Sequence, residues 1–303
     1  AGFMAEGYAR STGRPGVACV VTGVGLTNAL TPMASALADS VPMVVVSSQV
    51  PTFWADMPAR QYNHFLPRSS QGVASSAAKR SISVASAHDV AAAVMEALEL
   101  AQSGRPGPVH VEVPVNLLRA LVPFDPAPPR ASSVSKEDRV PSVASASCRA
   151  QLSEAAAQLW ACERPLILAG GGATNALRGG GKELAALAEA LQAPVITTIA
   201  AKGLLDERHD LSLGTRLHIL PHDEEGMFHK CDGILLLGTQ LSPVDWWLKG
   251  IDVEVPLPRA AKTVIQVDVD GRTLRECARA WPGMLAIEAD AGDACAQLLE
   301  EFA

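Results

Sequence analysis

Short apolar runs alternate with amphipathic stretches along the whole chain. Runs typical of buried strands occupy residues 16–21, 42–48, 107–118, 164–172, 194–200, 231–242 and 262–270. Helical patterns lie between them, and the clearest covers residues 87–104, with Asp89 in its first turn and Gly104 where a helix-ending glycine belongs. Strands that are apolar on both faces and alternate with helices predict parallel sheets covered on both sides. We therefore expect an α/β protein with two doubly wound parallel-sheet domains.

A stretch rich in proline, serine and charged residues interrupts this alternation at residues 122–147. Its composition is typical of a linker. We therefore expect a first domain at residues 1–121 and a second at residues 148–303. The chain opens with AGFMAEGYAR, which reads as an amphipathic helix with no capping residue before it. Phe3, Met4 and Gly7 share one side of this helix. Because the chain opens inside a helix, we expect the first domain to be incomplete at its N-terminus.

Composition and charge narrow the class of protein. The 303 residues are 48% hydrophobic and 19% charged, which suits large buried cores. The net charge of −7 argues against a nucleic-acid partner, and no apolar run reaches the roughly 18 residues of a membrane helix. Six scattered cysteines without a CxxC pair predict free thiols in a reducing compartment, rather than zinc or disulfides. Any targeting segment would precede Ala1, so the compartment stays open, with the cytoplasm as our first expectation.

Two glycine-rich turns follow strands, at the positions where open α/β sheets bind ligands. TGVGLTN (22–28) offers close backbone approach at its glycines and polar groups at Thr27 and Asn28. The alternative is a tight turn in which Thr27 or Asn28 only caps the following helix. AGGGATN (169–175) could hold a phosphate on backbone N–H groups, or could be a simple turn. Neither turn carries a complete nucleotide-binding fingerprint.

Several motifs nevertheless occur in a fixed order. GYAR-x-TG-x-PGV begins at Gly7, TGxGxxN covers residues 22–28, and Asp39, Pro42 and an apolar strand follow. This order closely resembles the pyrimidine-binding domain of the thiamine-diphosphate enzymes of the acetolactate synthase and 2-oxo-acid decarboxylase superfamily. RPLILAGGGA, TTIAAKGLLDERHDLSLG and DGILLLGTQLS resemble the middle domain of the same superfamily. The resemblance covers nearly the whole chain.

The resemblance implies thiamine diphosphate with Mg²⁺ as cofactors and a small 2-oxo acid as substrate. The cofactor acts as an electron sink for decarboxylation, with or without joining to a second carbonyl compound. The residues implied to line the aminopyrimidine ring are Gly25, Thr27 and Asn28. Gln49 would face the active site, and Asn63 and His64 would contribute to the substrate pocket. A homodimer or homotetramer with active sites at subunit interfaces is implied as well.

Two parts of the family's machinery lie outside this sequence. The glutamate that activates the aminopyrimidine is expected upstream of Ala1, and Glu6 matches a different acidic position of the motif. The GDG signature of the diphosphate- and metal-binding domain does not occur in residues 1–303. We therefore expect no catalytic residue and no metal ligand within this chain, and a fragment that is inactive by itself.

Two loops bear on the substrate. The stretch GTQLSPVDWW (238–247) lacks the arginine-containing run that accompanies flavin in acetolactate synthases, which argues against FAD and against acetolactate synthesis. The same stretch and the loop HFLP (64–67) resemble decarboxylases acting on 5-guanidino-2-oxopentanoate. Asp56 or Asp245 could bind the guanidinium group of such a substrate.

Two non-catalytic alternatives remain at this point. The second domain could be a nucleotide-binding module that holds FAD without catalysis, which retention of FAD without a response to thiamine would favour. The chain could also be a regulatory paralogue that pairs with complete subunits, since it lacks the activating glutamate.

Overall fold

The structure is a computed structural model that describes residues 1–54, 71–123, 143, 145–177, 181–215, 230–240 and 263–302. The chain divides into two compact units, residues 1–139 and 140–303. Each unit contains one parallel sheet with helices packed on both faces. The predicted fold class is therefore confirmed. The predicted linker at residues 122–147 lies mainly outside the described residues, and its bounds stay a prediction.

The first unit contains a parallel sheet of four described strands in the order β1-β2-β4-β3. Along the chain, its elements are α1 (Gly2–Thr12), β1 (Gly16–Val20), α2 (Val24–Ala38), β2 (Met43–Gln49), α3 (Gln71–Ala74), β3 (Arg80–Ser83), α4 (Val90–Gln102), β4 (Pro108–Pro114) and α5 (Val115–Leu118). Short 3-10 helices occupy Thr52–Trp54 and Ala87–Asp89. Because the strands are parallel, the turns after β1, β2 and β4 lie at one carboxyl edge of the sheet.

Alternate residues of the strands build a core on each face of this sheet. Met43 and Val45 of β2 pack with small and apolar side chains of α1 and α2 on one face. Val44, between them in sequence, packs with Val109 and Val111 of β4 and with α4 on the other face. The continuous apolar run of β2 is therefore a consequence of helices on both sides.

Helix α1 packs on the sheet through small residues rather than through its large apolar side chains. Ala5 and Ala9 are buried, whereas Phe3 and Met4 are 61% and 78% exposed. The carbonyl oxygen of Ala5 lies where a Cβ on Gly16 would stand, which shows how closely the helix approaches β1. The amphipathic pattern identified the helix, but its small residues face the sheet, because close backbone approach excludes large side chains.

The second unit contains a parallel sheet of six described strands in the order β10-β9-β8-β5-β6-β7. Its elements are α6 (Ala146–Trp160), β5 (Pro165–Ala169), α7 (Gly171–Ala176), α8 (Lys182–Leu191), β6 (Val195–Thr197), β7 (Ser212–Gly214), β8 (Gly233–Leu237), β9 (Thr263–Asp268), α9 (Gly271–Ala280), β10 (Leu285–Glu288) and α10 (Ala291–Phe302), with a 3-10 helix at Ile199–Ala201. β6 and β7 follow β5 outward on one side of the sheet, and β9 and β10 follow β8 outward on the other side. The neighbouring strands β5 and β8 therefore flank the point where the strand order reverses.

The strands that the sequence pattern did not predict all lie at sheet edges. Among the described strands, β3 lies at one edge of the first sheet, and β7 and β10 lie at the two edges of the second. Their residues are mostly intermediate in burial, so they show no continuous apolar run. Helix α9 was also not predicted, because its sequence GRTLRECARA is dominated by charged and polar residues. Among the described residues, no helix has the length and apolar character needed to cross a membrane.

Candidate functional site

The turn between β1 and α2 lies at the carboxyl edge of the first sheet and is held from the neighbouring strand. The hydroxyl of Ser48 on β2 accepts a hydrogen bond from the backbone N–H of Thr22 at 3.0 Å and lies 2.9 Å from the Thr22 hydroxyl. Gly23 then adopts φ 71° and ψ −105° as the residue that precedes the helix. That positive φ favours glycine. The turn is therefore fixed by its backbone and by Ser48.

Helix α2 begins at Val24 without a side-chain cap and without an acidic residue in its first turn. The first N–H groups of a helix have no partner inside it, and here no described side chain supplies one. A Cβ on Gly25 would lie 2.8 Å from Cγ1 of Val21, so this residue lets the helix start directly above β1. The carboxyl edge thus presents open backbone donors on a positive helix end.

Thr27 and Asn28 do not cap this helix, because they lie inside its first two turns. The Thr27 hydroxyl donates a hydrogen bond to the carbonyl oxygen of Val24 at 3.2 Å. Asn28 is exposed, and its carboxamide makes no hydrogen bond within the part of the chain that the structure describes. The capping explanation is therefore wrong in its geometry. An exposed amide beside open backbone donors suits a polar ligand.

Gln49 ends β2 at the same edge, but its side chain is buried, with 4% exposure. Its Nε2 donates a hydrogen bond to Oε2 of Glu112 at 3.2 Å, and its Oε1 accepts one from the N–H of Val50 at 2.7 Å. Glu112 is 2% exposed and also accepts a hydrogen bond from the hydroxyl of Ser83 at 3.4 Å. A row of hydrogen bonds therefore crosses from β2 over β4 to β3.

A second polar row lies two residues deeper in the same three strands. His110 on β4 is completely buried between Ser47 on β2 and Ser81 on β3. The Ser47 hydroxyl lies 2.8 Å from Nε2 and the Ser81 hydroxyl 2.7 Å from Nδ1. A neutral imidazole supplies one donor and one acceptor, which matches two hydroxyl partners. Burial lowers the pKa of His110 to about 4, although the nearby Glu112 acts in the opposite direction.

Asn116, just after β4, hydrogen-bonds to the segment that follows β2. Its Oδ1 accepts a hydrogen bond from the backbone N–H of Thr52, and its Nδ2 donates one to the Thr52 hydroxyl, both at 3.0 Å. Sequence reasoning identified none of His110, Glu112 and Asn116. The polar residues in the strand VHVEVPVN were a usable signal, because buried strands rarely carry histidine and glutamate without a partner.

The predicted pocket residues Asn63 and His64 lie outside the described residues, as do Asp56 and Asp245. Gly25, Thr27 and Asn28 lie at the start of the helix that follows β1, and the buried Gln49 ends the neighbouring strand β2 at the same edge of the sheet. The roles of these residues stay predictions.

The glycine-rich turn of the second unit packs directly against the turn that follows β8. The N–H of Gly170 donates to the carbonyl oxygen of Leu237, and that of Gly172 to the carbonyl oxygen of Gly238, at 2.8 and 2.9 Å. A Cβ on Gly170 would lie 2.4 Å from the Gly238 oxygen. The turn after β5 and the turn after β8 thus pack backbone to backbone. This contact accounts for the glycines and uses two of the N–H groups that a phosphate would need.

All six cysteines are free, and four of them are buried. Burial raises the pKa of the Cys231 and Cys295 thiols to about 12 in each case. The described residues contain no group of three histidine, cysteine or acidic side chains placed to hold a metal ion.

Comparison with known proteins gives two family matches. Residues 152–298 match the central domain of the thiamine pyrophosphate enzymes, and residues 1–71 match their N-terminal TPP binding domain. The second match contains the turn at Gly23 and the strand that ends at Gln49.

Relatives along the whole chain agree with these matches. A Pseudomonas aeruginosa protein named as a 2-ketoarginine decarboxylase is 33% identical, with 99% of this chain and 49% of that protein covered. The acetolactate synthase isozyme 1 large subunit of Escherichia coli is 30% identical, with 99% and 49% covered. This chain therefore spans about half the length of these curated relatives. They give no support to a non-catalytic binding module or a regulatory paralogue.

A solved structure shows the same fold. A protein from Mycobacterium smegmatis, described as a thiamin diphosphate-dependent enzyme, superposes with a TM-score of 0.78 at 23% identity. The superposition covers 99% of this chain and 53% of that one.

The buried His110 generates a prediction about pH. Its pKa is about 4 in the folded protein against an ordinary 6.5, so protonation favours the unfolded state. Above pH 7 the ring is neutral in both states, and stability is lost as the pH falls from about 6.5 to about 4. At pH 5 the loss is roughly 2 kcal/mol. Urea unfolding of wild type and His110→Gln at pH 7 and pH 5 should show a pH effect smaller by that amount in the variant.

His88→Gln is the matched control, because it removes an exposed histidine and leaves the buried contacts of His110 with Ser47 and Ser81 in place. An equal pH effect in wild type and His110→Gln would contradict the account of a buried neutral ring.

Proposed function

Because this chain belongs to the thiamine pyrophosphate enzyme family, we propose that the protein containing it decarboxylates a 2-oxo acid with thiamine diphosphate and Mg²⁺. The observation that carries the proposal is the open carboxyl edge of the first sheet, where an uncapped helix start and the exposed Asn28 amide lie together. This edge belongs to the region matched by the TPP binding domain.

Gly25, Thr27 and Asn28 would hold the aminopyrimidine ring of the cofactor. Gly25 allows helix α2 to start close above β1, and the open N–H groups and the Asn28 amide supply donors and an acceptor for the ring. When bound, thiamine diphosphate supplies the electron sink that makes loss of carbon dioxide from a 2-oxo acid feasible. The residues of this chain bind and orient that ring, with Gln49 beside it.

The diphosphate, the Mg²⁺ ion and the activating carboxylate would be held by residues outside this chain. We propose a homodimer or homotetramer in which the pyrimidine side comes from one subunit and the diphosphate side from its partner. The domain bounds 1–121, 122–147 and 148–303 are part of the same proposal.

Two substrate classes are compatible with the family. The first is a 2-oxo acid with a guanidinium group, which the 2-ketoarginine decarboxylase relative and the similar loops favour. The second is pyruvate with carboligation, as in the acetolactate synthase relative. We place the guanidino substrate first, with Asp56 or Asp245 as partners of its guanidinium group. We propose no bound FAD, because the stretch GTQLSPVDWW (238–247) lacks the arginine-containing run that accompanies flavin in acetolactate synthases.

The ring-binding role of Asn28 generates a prediction about cofactor affinity. Asn28→Ala in the full-length protein should weaken thiamine diphosphate binding roughly tenfold, because one hydrogen bond to the ring is lost. Its thermal midpoint should stay that of the wild type, since the amide has no partner among the described residues. Equilibrium dialysis with the cofactor and Mg²⁺ measures the affinity.

Gln102→Ala is the matched control for this experiment. Gln102 is also an exposed amide on a helix, but helix α4 ends at the opposite edge of the sheet. Equal cofactor affinity in Asn28→Ala and Gln102→Ala would count against a pyrimidine site at the turn after β1.

The substrate proposal is tested by turnover. With thiamine diphosphate and Mg²⁺, the full-length protein should release carbon dioxide from 5-guanidino-2-oxopentanoate with a kcat/KM at least about tenfold above that for pyruvate, because a carboxylate pairs with the guanidinium group. A higher kcat/KM with pyruvate and formation of acetolactate would reverse the order of the two candidates. Turnover that does not depend on thiamine diphosphate would remove the proposed function itself.

A further inference from the structure

Gln49 is held in one orientation by two different hydrogen bonds. Its Oε1 accepts from the N–H of Val50, and its Nε2 donates to the carboxylate of Glu112. A rotation of the amide by half a turn would place Oε1 against the Glu112 oxygens and Nε2 against an N–H group. Both contacts would then be repulsive, so the arrangement fixes which atom of Gln49 points where.

One hydrogen of the Gln49 amide is left over. The NH₂ group carries two hydrogens, and only one of them is used by Glu112. No hydrogen bond of the second hydrogen occurs within the described residues. Because Gln49 is the last residue of β2, this donor belongs to the same carboxyl edge as the turn at Gly23 and Gly25.

Glu112 is itself firmly placed. It lies on β4, the strand between β2 and β3, and it is 2% exposed. Its carboxylate accepts from Gln49 on one side and from the Ser83 hydroxyl on the other. The carboxylate is buried too deeply to contact a ligand at the edge directly. It can act on a ligand through Gln49.

We propose that Glu112 is a positioning residue that makes Gln49 present an N–H donor, and not its carbonyl oxygen, to a hydrogen-bond acceptor of the ligand at the carboxyl edge. This inference rests on the proposed function, because that function supplies the ligand. The acceptor is either a carboxylate or carbonyl oxygen of the 2-oxo acid, or an acceptor atom of thiamine diphosphate. A carbonyl oxygen at this position would repel either one.

An exchange of the two side chains separates this role from a structural one. In the double variant Gln49→Glu/Glu112→Gln, the new Glu oxygens accept from the Val50 N–H and from the new Gln amide. That Gln can still accept from the Ser83 hydroxyl. The hydrogen bonds that join residues 49, 50, 83 and 112 are therefore kept, with the donor and acceptor exchanged between residues 49 and 112, and the free hydrogen at the edge is replaced by an oxygen lone pair.

The double variant should keep the thermal midpoint of the wild type and bind ligand at least about tenfold more weakly, the ratio expected for one lost hydrogen bond. Glu112→Gln alone keeps an oxygen that can accept from Gln49, so it should stay within about threefold of the wild type. Glu112→Leu removes the acceptor and should weaken ligand binding like the double variant, through freedom of Gln49 to rotate.

Two readouts in the full-length protein identify the ligand atom. A higher Kd for thiamine diphosphate, measured by equilibrium dialysis, assigns the acceptor to the cofactor. A higher KM for the 2-oxo acid at saturating cofactor, with kcat changed much less, assigns it to the substrate. Either result supports the proposal.

A double variant with the Kd and the KM of the wild type would overturn the proposal, because the network would then be only structural. A wild-type protein that neither binds thiamine diphosphate nor turns over a 2-oxo acid would instead remove the proposed function. The two failures are distinguishable. The first is measured as the ratio of Kd or KM between the double variant and the wild type, and the second as absent cofactor binding and turnover in the wild type alone.

Discussion

The first unit depends on satisfying polar side chains that are buried within its sheet. His110 and Glu112 lie on β4, between β2 and β3, and both are out of contact with water. An unsatisfied polar group at such a position is costly, so the neighbouring strands must supply partners at matching heights. Ser47 and Gln49 on β2 and Ser81 and Ser83 on β3 do so. A register shift of one residue on any of these strands would turn the partners to the other face.

This constraint links the buried core to the edge where a ligand would bind. The row of hydrogen bonds from Ser83 over Glu112 ends at Gln49. Ser48 precedes Gln49 on the opposite face of β2, and its hydroxyl hydrogen-bonds to the turn at Thr22. The same strand therefore orients the side chain at its end and the backbone of the neighbouring turn. Helix α2 starts from that turn without a cap, which leaves its N–H groups and Asn28 open at the edge. The geometry of the site thus follows from the register of the sheet.

Sequence patterns predicted the central strands and the order of elements well, because these strands are apolar on both faces. They missed β3, β7 and β10, because the residues of these three strands are mostly intermediate in burial and form no continuous apolar run. Close approach of helix and strand was also invisible, and it explains why Ala5 rather than Phe3 faces the sheet. In the site, Gly25, Thr27, Asn28 and Gln49 were identified through family resemblance. Glu112 was missed, because its role depends on a partner 63 residues away in sequence.

The central claim is that the carboxyl edge of the first sheet binds the pyrimidine ring of thiamine diphosphate. A crystal structure of the full-length protein with thiamine diphosphate and Mg²⁺ tests this claim most directly. We expect the aminopyrimidine ring against Gly25 and Asn28, with an acceptor atom of the cofactor or of a bound 2-oxo acid within hydrogen-bond distance of Nε2 of Gln49. A cofactor bound at the glycine-rich turn of the second unit, with the first edge empty, would contradict the account.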